Sequence, residues 1–382
     1  MDTGVSHVNT LIHSLSLNYH FITGTITAKF MDIPSKKQVQ KAGKALAKNA
    51  QGQEFIDSMA ILSQWRSLHT YPINTFKALL RNRVKKLGFK SPIIAQRLKR
   101  TPSIITKLQR FPNMDLSRMQ DIGGLRVVLG NVDDVYRLHQ SLINGRHQHT
   151  PLVPPADYIA TPKDDGYRSL HQVFKYHSHD NPQLNGLFIE LQIRTKKQHA
   201  WATAVETLGI LEKSSFKTGQ GTDEFKRFFK LASALFAYDE KQPILKELAG
   251  IDIHTIAKEL KDIEQALQIF SKLKGLIITA KHIESSNDNG EYHLMELDSE
   301  KHTVNLLAFN PNQLVLAEMF YKTREIQTKD IPHIEVVLIS AGNLKQVKKA
   351  YPNYFLDTQD FIKSLTKICD KLNEQQIADI KN

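Results

Sequence analysis

The chain has 382 residues, 41% of them hydrophobic and 24% charged, with a formal net charge of +12 and a pI near 9.4. That length suggests two domains at roughly 100–200 residues each. The apolar content excludes a wholly disordered chain, and no apolar stretch approaches the roughly 20 residues of a membrane helix, so no membrane partner is expected. A single cysteine, Cys369, excludes a disulfide framework and a cysteine-based zinc site and fits a cytoplasmic protein, while the positive balance favours polyanionic partners.

Residues 1–34 read as a loose extension, and Met31 is a candidate for the true start. Ser35 is placed to cap a helix with Val39, Ala42, Ala45 and Leu46 on one face. A second helix follows through Phe55, Met59, Leu62 and Trp65 and is expected to end near Tyr71-Pro72; a third runs from Asn74 to Leu87-Gly88. Between Arg81 and Arg110 the chain carries ten cations and no acidic residue, a one-sign run best explained by an anionic partner. Strands are then expected at Leu125–Leu129, Ser169–Tyr176 and Leu187–Thr195, with helices at Val132–Leu142, Lys196–Leu211, Phe225–Tyr238 and Pro243–Lys274. Beyond a boundary near 275, strands at 276–284, 292–297, 303–308 and 334–339, a turn at 285–290, a helix at 312–323 and two terminal helices predict a smaller C-terminal α+β domain.

Four segments hold side chains suited to chemistry. In Leu187–Thr195, alternation sends Leu187, Ile189, Leu191 and Ile193 one way and Phe188, Glu190, Gln192 and Arg194 the other. That polar row is either a reactive surface or an ordinary solvent face. Asp121 precedes Gly123 and Gly124 at a strand entry, where an acid is placed either to hold a divalent metal or to cap a turn. The loop around Pro162 and Gly166 gathers Lys163, Tyr167, Arg168, Ser169 and His171, an aromatic ring beside cations, as a nucleotide requires. Arg97, Lys99 and Arg100, followed by Ser103 and Lys107, suit a polyphosphate clamp, and no Gly-x-x-x-x-Gly-Lys-Ser/Thr loop is present to do that work.

Taken in order, Arg97-x-Lys99…Ser103…Lys107, Asp121-Ile-Gly-Gly-Leu-Arg126, Asp157-Tyr-Ile…Lys163…Gly-Tyr167-Arg-Ser-Leu-His171 and Glu190-x-Gln-Ile-Arg194-Thr…His199-x-Trp201 resemble the RelA/SpoT nucleotide pyrophosphokinase domain over residues 35–240. The resemblance implies an α+β, nucleotidyltransferase-like fold: a mixed five-stranded sheet wrapped by helices. It implies transfer of the β,γ-pyrophosphate of ATP to a 3′-hydroxyl, typically of GDP or GTP, with Mg²⁺. On that basis Arg97, Lys99, Ser103, Lys107, Arg126 and Arg194 are expected at ATP. Asp121 is the expected metal ligand. Glu190 is the second carboxylate, on the metal or activating the hydroxyl. Lys163, Tyr167, Arg168, His171, Gln192 and His199 are expected at the acceptor, with Tyr167 stacking on its base.

The chain lacks the N-terminal His-Asp hydrolase array of the long family members and their usual regulatory domains. Residues 241–274 read as a helical connector and 275–382 as a regulatory domain. A variant of the resemblance is a toxin that pyrophosphorylates the tRNA 3′-CCA end, with a fused C-terminal antitoxin triggered by a phage protein. A degenerate nucleotide- or RNA-binding module is the non-enzymatic alternative, and a helical surface near 225–274 is a candidate for homo-oligomer pairing. His147, His149, His177 and His179 read as surface residues, and Trp201 and Ala202 as helix core.

Overall fold

The computed structural model describes residues 33–215, 222–275, 290–298, 301, 303–328, 331, 334–340 and 358–381. Helix α1 (Lys36–Ala47) starts at a Ser35 capping box, in which Ser35 and Gln38 exchange side-chain-to-backbone hydrogen bonds. It is followed by α2 (Gly52–Ser67) and α3 (Thr70–Lys86). The third helix begins four residues before the expected Asn74. Pro72 falls in its first turn, where the missing N–H has no intrahelical partner to lose, so Tyr71-Pro72 opens a helix rather than closing one.

The cationic run from 81 to 110 is three elements: the end of α3, strand β1 (Ile93–Leu98) and helix α4 (Thr101–Arg110). Sequence reasoning passed over β1 and α4 because their apolar residues are interleaved with lysines and arginines. Strand β2 (Gly123–Leu129), helix α5 (Val132–Ile143), the short strands β3 (Thr150–Pro151) and β4 (Ala156–Asp157), and strands β5 (Leu170–Lys175) and β6 (Phe188–Thr195) complete the central layer. Helices α6 (Lys196–Ser215), α7 (Thr222–Asp239), α8 (Ile253–Leu267) and α9 (Ile269–Gly275) follow. The expected continuous helix 243–274 starts only at Ile253, after a single 3-10 turn at Lys246–Leu248, and is broken at Gln268, whose φ of 51° is left-handed and separates α8 from α9.

The fold is α+β, a mixed sheet wrapped by helices. Strand order is β3-β5-β6-β2-β1-β9-β7-β8, with β7 (Tyr292–Asp298), β8 (Thr303–Phe309) and β9 (Ile334–Ser340) supplied by the C-terminal segment, and β4 paired to β5. The central pair β2 and β6 is parallel; every other pair is antiparallel. The expected boundary near 275 does not divide two sheets: β9 pairs with β1 through Gln96↔Ser340 and Arg97↔Ile339, extending the expected five strands to nine. Helix α10 (Leu314–Gln327) packs on β7 and β9 around Tyr292, Leu294, Phe309, Ala317, Tyr321 and Val336. The expected strand 276–284, the turn 285–290 up to residue 289, and the first of the two terminal helices lie outside the described residues.

Two larger cores hold the rest. One joins α1–α5 to the apolar face of the sheet through Leu62, Phe76, Leu125, Val127, Ile189 and Ile193. The other joins α6–α9 to the last helix, α11 (Gln359–Lys381), which returns to insert Phe361, Leu365 and Leu372. Trp201 belongs to this core and donates its indole N–H to the Phe229 carbonyl at 2.8 Å. Of the histidines expected on the surface, His179 is exposed, whereas His147, His149 and His177 are half-buried at the margin of the first core, where His149 stacks on Phe76 at 4.4 Å and on Tyr176 at 5.0 Å.

Phe361 is fully buried among the rings of Phe228, Phe229 and Phe236, at 5.7–6.4 Å. Truncating it leaves a cavity no neighbour can fill. Phe361→Ala is expected to cost about 3–5 kcal/mol, read as a lowered midpoint in chemical denaturation.

Candidate active site

Register decides which residues meet. Across β1, β2 and β6, Arg97 pairs with Gly124 and Gly124 with Glu190; one step along, Ala95 pairs with Arg126, Arg126 with Gln192, and Gln192 with His171 on β5. Paired residues share a face, so these two rows form one polar surface. Alternate residues (Gly123, Leu125, Ile189, Leu191) point into the core. The two glycines divide along the same line. A Cβ on Gly123 would stand 2.8 Å from Ile189, so close packing demands glycine there. A Cβ on Gly124 would project into the open space beside Glu190, with only the Arg97 carbonyl near it, at 3.7 Å.

This surface floors a cavity of about 340 Å³ walled by Arg97, Lys99, Lys107, Asp121, Arg126, Tyr158, Lys163, His171, Glu190 and Gln192, among others. Asp121 lies just before β2, beside the end of β1, where the Lys99 N–H bonds the Ile122 carbonyl at 2.8 Å. Its Oδ2 accepts hydrogen bonds from Lys99 Nζ and Lys107 Nζ, both at 2.9 Å. Its Oδ1 is buried with no hydrogen-bond partner among the described residues. Asp121 is therefore not a turn cap. Burial pushes its carboxyl up, but the charges and hydrogen bonds of the two lysines outweigh burial and hold it below the usual carboxylate range.

Glu190 is the second carboxylate. Its Oε1 is 3.1 Å from His171 Nδ1, and its Oε2 accepts from Gln192 Nε2 at 2.9 Å. The Tyr167 hydroxyl is 2.9 Å from His171 Nε2. With that hydroxyl donating, His171 keeps its proton on Nδ1 and donates it to Glu190, giving a relay from Tyr167 through His171 to Glu190. Burial pushes Glu190 up most strongly and the negative charge of Asp121 adds to that rise, but the hydrogen bond and charge of His171 and the hydrogen bond from Gln192 together outweigh them and hold the carboxyl below its usual range.

Of the expected residues, Arg97, Lys99, Lys107, Asp121, Arg126, Lys163, His171, Glu190 and Gln192 meet in this cavity. Ser103 lines an adjoining cavity of about 610 Å³ that shares Lys99, Lys107 and Asp121. Arg168 does not reach the site. It has the parity of Leu170 and Phe174, is 3% exposed, and binds Ser233 Oγ and the Ile159 carbonyl, both at 3.1 Å, tying the loop to α7. Arg194 and His199 are buried and do not wall the cavity; burial and neighbouring Arg126 push the Arg194 guanidinium down to about 9, still charged at neutral pH.

Tyr167 stands edge-to-face with Tyr158, His171 and Trp201 and lines a separate, apolar cavity. The ring inside the central cavity is Tyr158, with Lys163 Nζ 4.5 Å from its centroid. Sequence reasoning assigned Tyr158 no role, although it lies within the Asp157-Tyr-Ile segment. Gln96 was missed with β1.

Five cations against two carboxylates give this one cavity a net positive lining, electrostatically complementary to a polyanion. Residues 96–220 match the profile described as the region found in RelA/SpoT proteins. The chain is 36% identical over 122 residues to the GTP pyrophosphokinase YjbM of Bacillus subtilis, covering 31% of this chain and 57% of that protein. It is 30% identical over 156 residues to YwaC, a GTP pyrophosphokinase of the same organism, covering 40% of this chain and 71% of that protein. The chain thus spans little more than half the length of the first of these relatives. Among solved structures, it is similar to small alarmone synthetase 1 of B. subtilis bound to its product pppGpp, at 25% identity and a TM-score of 0.36, covering 53% of this chain and 95% of that one. The chain belongs to the RelA/SpoT family.

Because both carboxyls are held below their unfolded values, each contributes stability that is complete above the free carboxylate range and is lost as pH falls through the folded value. The destabilisation of Asp121→Asn relative to wild type is therefore expected to be largest near neutral pH and to shrink below about pH 4, measured by denaturant unfolding across pH.

Proposed function

We propose that the protein transfers the β,γ-pyrophosphate of ATP to the 3′-hydroxyl of a guanine nucleotide, GDP or GTP. The observation that supports this reading best is the placement of Asp121, clamped by Lys99 and Lys107 and facing Glu190 across one cationic cavity. The family membership and the activity for which both relatives are named point the same way.

In this reading the 3′-oxygen attacks the β-phosphorus, the bond from that phosphorus to the α–β bridging oxygen breaks, and AMP leaves with the oxygen. Glu190, kept ionised by its bond to His171, accepts the hydroxyl proton, and Tyr167 and Gln192 fix the orientation of that pair. Lys99, Lys107, Arg97 and Arg126 offset charge on the triphosphate, the dominant task in phosphoryl transfer. Lys163 over Tyr158 offers the acceptor a cation and an aromatic face.

The donor set fits a magnesium ion: Asp121 presents a buried carboxylate oxygen that no hydrogen bond satisfies, and Glu190 shares the cavity. Asp121 and Glu190 would hold Mg²⁺ there, and the ion would supply positive charge to phosphate oxygens.

The second reading, a tRNA 3′-end acceptor with the C-terminal segment as a fused antitoxin, draws on the adjoining cavity. That cavity has the half-buried Lys107 and the exposed Arg110 of α4 on one side and Ile331, Ile334 and Val336 of the C-terminal segment on the other.

Incubation with γ-labelled ATP and GDP, GTP or bulk tRNA separates the readings. Label entering a new guanine nucleotide, with AMP released, is the expected result; label entering RNA supports the second reading. Glu190→Gln and Asp121→Asn are expected to lower the rate by about 10²–10⁴-fold. Label that reaches no acceptor overturns both readings.

A further inference from the structure

Helix α4 has no side-chain cap of its own. Its N-cap residue is Arg100, whose side chain makes no capping hydrogen bond. The acceptor that α4 lacks comes from 224 residues away, from α10. Glu325 Oε1 accepts from the Thr101 backbone N–H at 3.1 Å, and its Oε2 accepts from the Thr101 hydroxyl at 3.1 Å. Tyr321, one turn earlier on α10, donates to Oε1 at 2.7 Å. Behind them lies Arg66 of α2, 3% exposed, with its guanidinium 4.8 Å from the Tyr321 ring centroid. Arg66 NH1 is 3.3 Å from Glu325 and 3.2 Å from Thr101 Oγ1, and its Nε donates to the Lys99 carbonyl at 2.7 Å.

This network grips the turn between β1 and α4, and Glu325 lines the adjoining cavity together with Lys99, Lys107 and Asp121. Lys99, whose carbonyl Arg66 holds, extends its ammonium to Asp121. Thr101, which Glu325 holds, starts the helix that brings Lys107 to the same carboxylate. Both lysines that clamp Asp121 therefore leave the backbone within one short segment, fixed at Thr101 by a carboxylate of the C-terminal segment. A carboxylate at a helix N-terminus is also where the helix dipole favours negative charge.

We propose that Glu325 is a positioning residue for the donor nucleotide: by capping α4 and pairing with Arg66, it sets Lys99 and Lys107 at the distance from Asp121 that ATP binding requires. The C-terminal segment is then part of the donor half of the site, whichever acceptor is used. The inference rests on the reading of the cavity as an ATP site, and its test has a readout independent of turnover.

The experiment uses the full chain. Calorimetry measures the affinity for α,β-methylene ATP, in which the scissile bond is P–C, and amide hydrogen exchange follows residues 99–107. Wild type is compared with Glu325→Ala and with Tyr321→Phe, which removes one donor to Glu325 and little volume. Glu325→Ala is expected to weaken nucleotide binding at least about tenfold and to speed exchange across 99–107. KM for ATP is expected to rise in step, while KM for the acceptor stays within about twofold. Tyr321→Phe is expected to move the same quantities the same way by less, and it carries the test should Glu325→Ala fail to fold. Unchanged or tighter nucleotide binding in these variants overturns the inference, as does a shift confined to the acceptor KM. A wild-type chain that binds no α,β-methylene ATP overturns the reading of the site, and this inference with it.

Discussion

Parallel pairing of β2 with β6 places Gly124 next to Glu190 and Arg126 next to Gln192. Every other relation in the site depends on that register. A slip of one residue would turn Glu190 and Gln192 into the core and bring Ile189 and Leu191 to the cavity, so the apolar face that anchors the sheet also enforces the polar one. Glycine at 124 leaves the space beside Glu190 open, and glycine at 123 lets β2 approach Ile189 and Ile73 closely enough to hold the register.

On this frame, charge is deliberately unbalanced. Lys99 and Lys107 are satisfied by a single carboxylate oxygen, Lys163 by aromatic faces, and the buried Arg194 has an Nε with no hydrogen-bond acceptor among the described residues. Crowded cations of this kind cost stability when nothing anionic is near, and that cost is returned when a polyphosphate arrives. The two acids are low in pKa for different reasons: Asp121 through paired ammonium groups, and Glu190 chiefly through a hydrogen-bonded imidazole.

Much of this was legible in the sequence. The alternation in Leu187–Thr195 gave both the buried and the polar row of β6, and the order of short motifs brought together nine of the residues that meet in the cavity. What stayed hidden has physical causes. Strand β1 and helix α4 lie inside a cationic run whose charges mask a period of two and then of 3.6. Pro72 reads as a stop because proline ends helices more often than it opens them, and only the position of the first turn distinguishes the two cases. Arg168 sits in a cation-rich loop, but the parity that sends it inward depends on β5 beginning at Leu170. Glu325 was beyond reach: a carboxylate that caps a helix 224 residues away leaves no local pattern.

The junction between the C-terminal segment and the rest of the chain differs in kind from the cores on either side. Its acids, Glu291, Glu318 and Glu325, face Lys77, Arg81, Thr70 and Arg66 of the early helices, and its ladder to β1 consists of two residue pairs. The exposed Arg81–Glu291 pair weakens as ionic strength rises, the buried Arg66 and Lys77 pairs are screened far less, and the phenylalanine cluster around α11 carries no such dependence. Separation at this seam leaves β1 with its outer row of amide and carbonyl groups bare, as a template onto which any extended peptide can add. By filling that position with β9, the chain shields the strand that bears Arg97 from joining a foreign one.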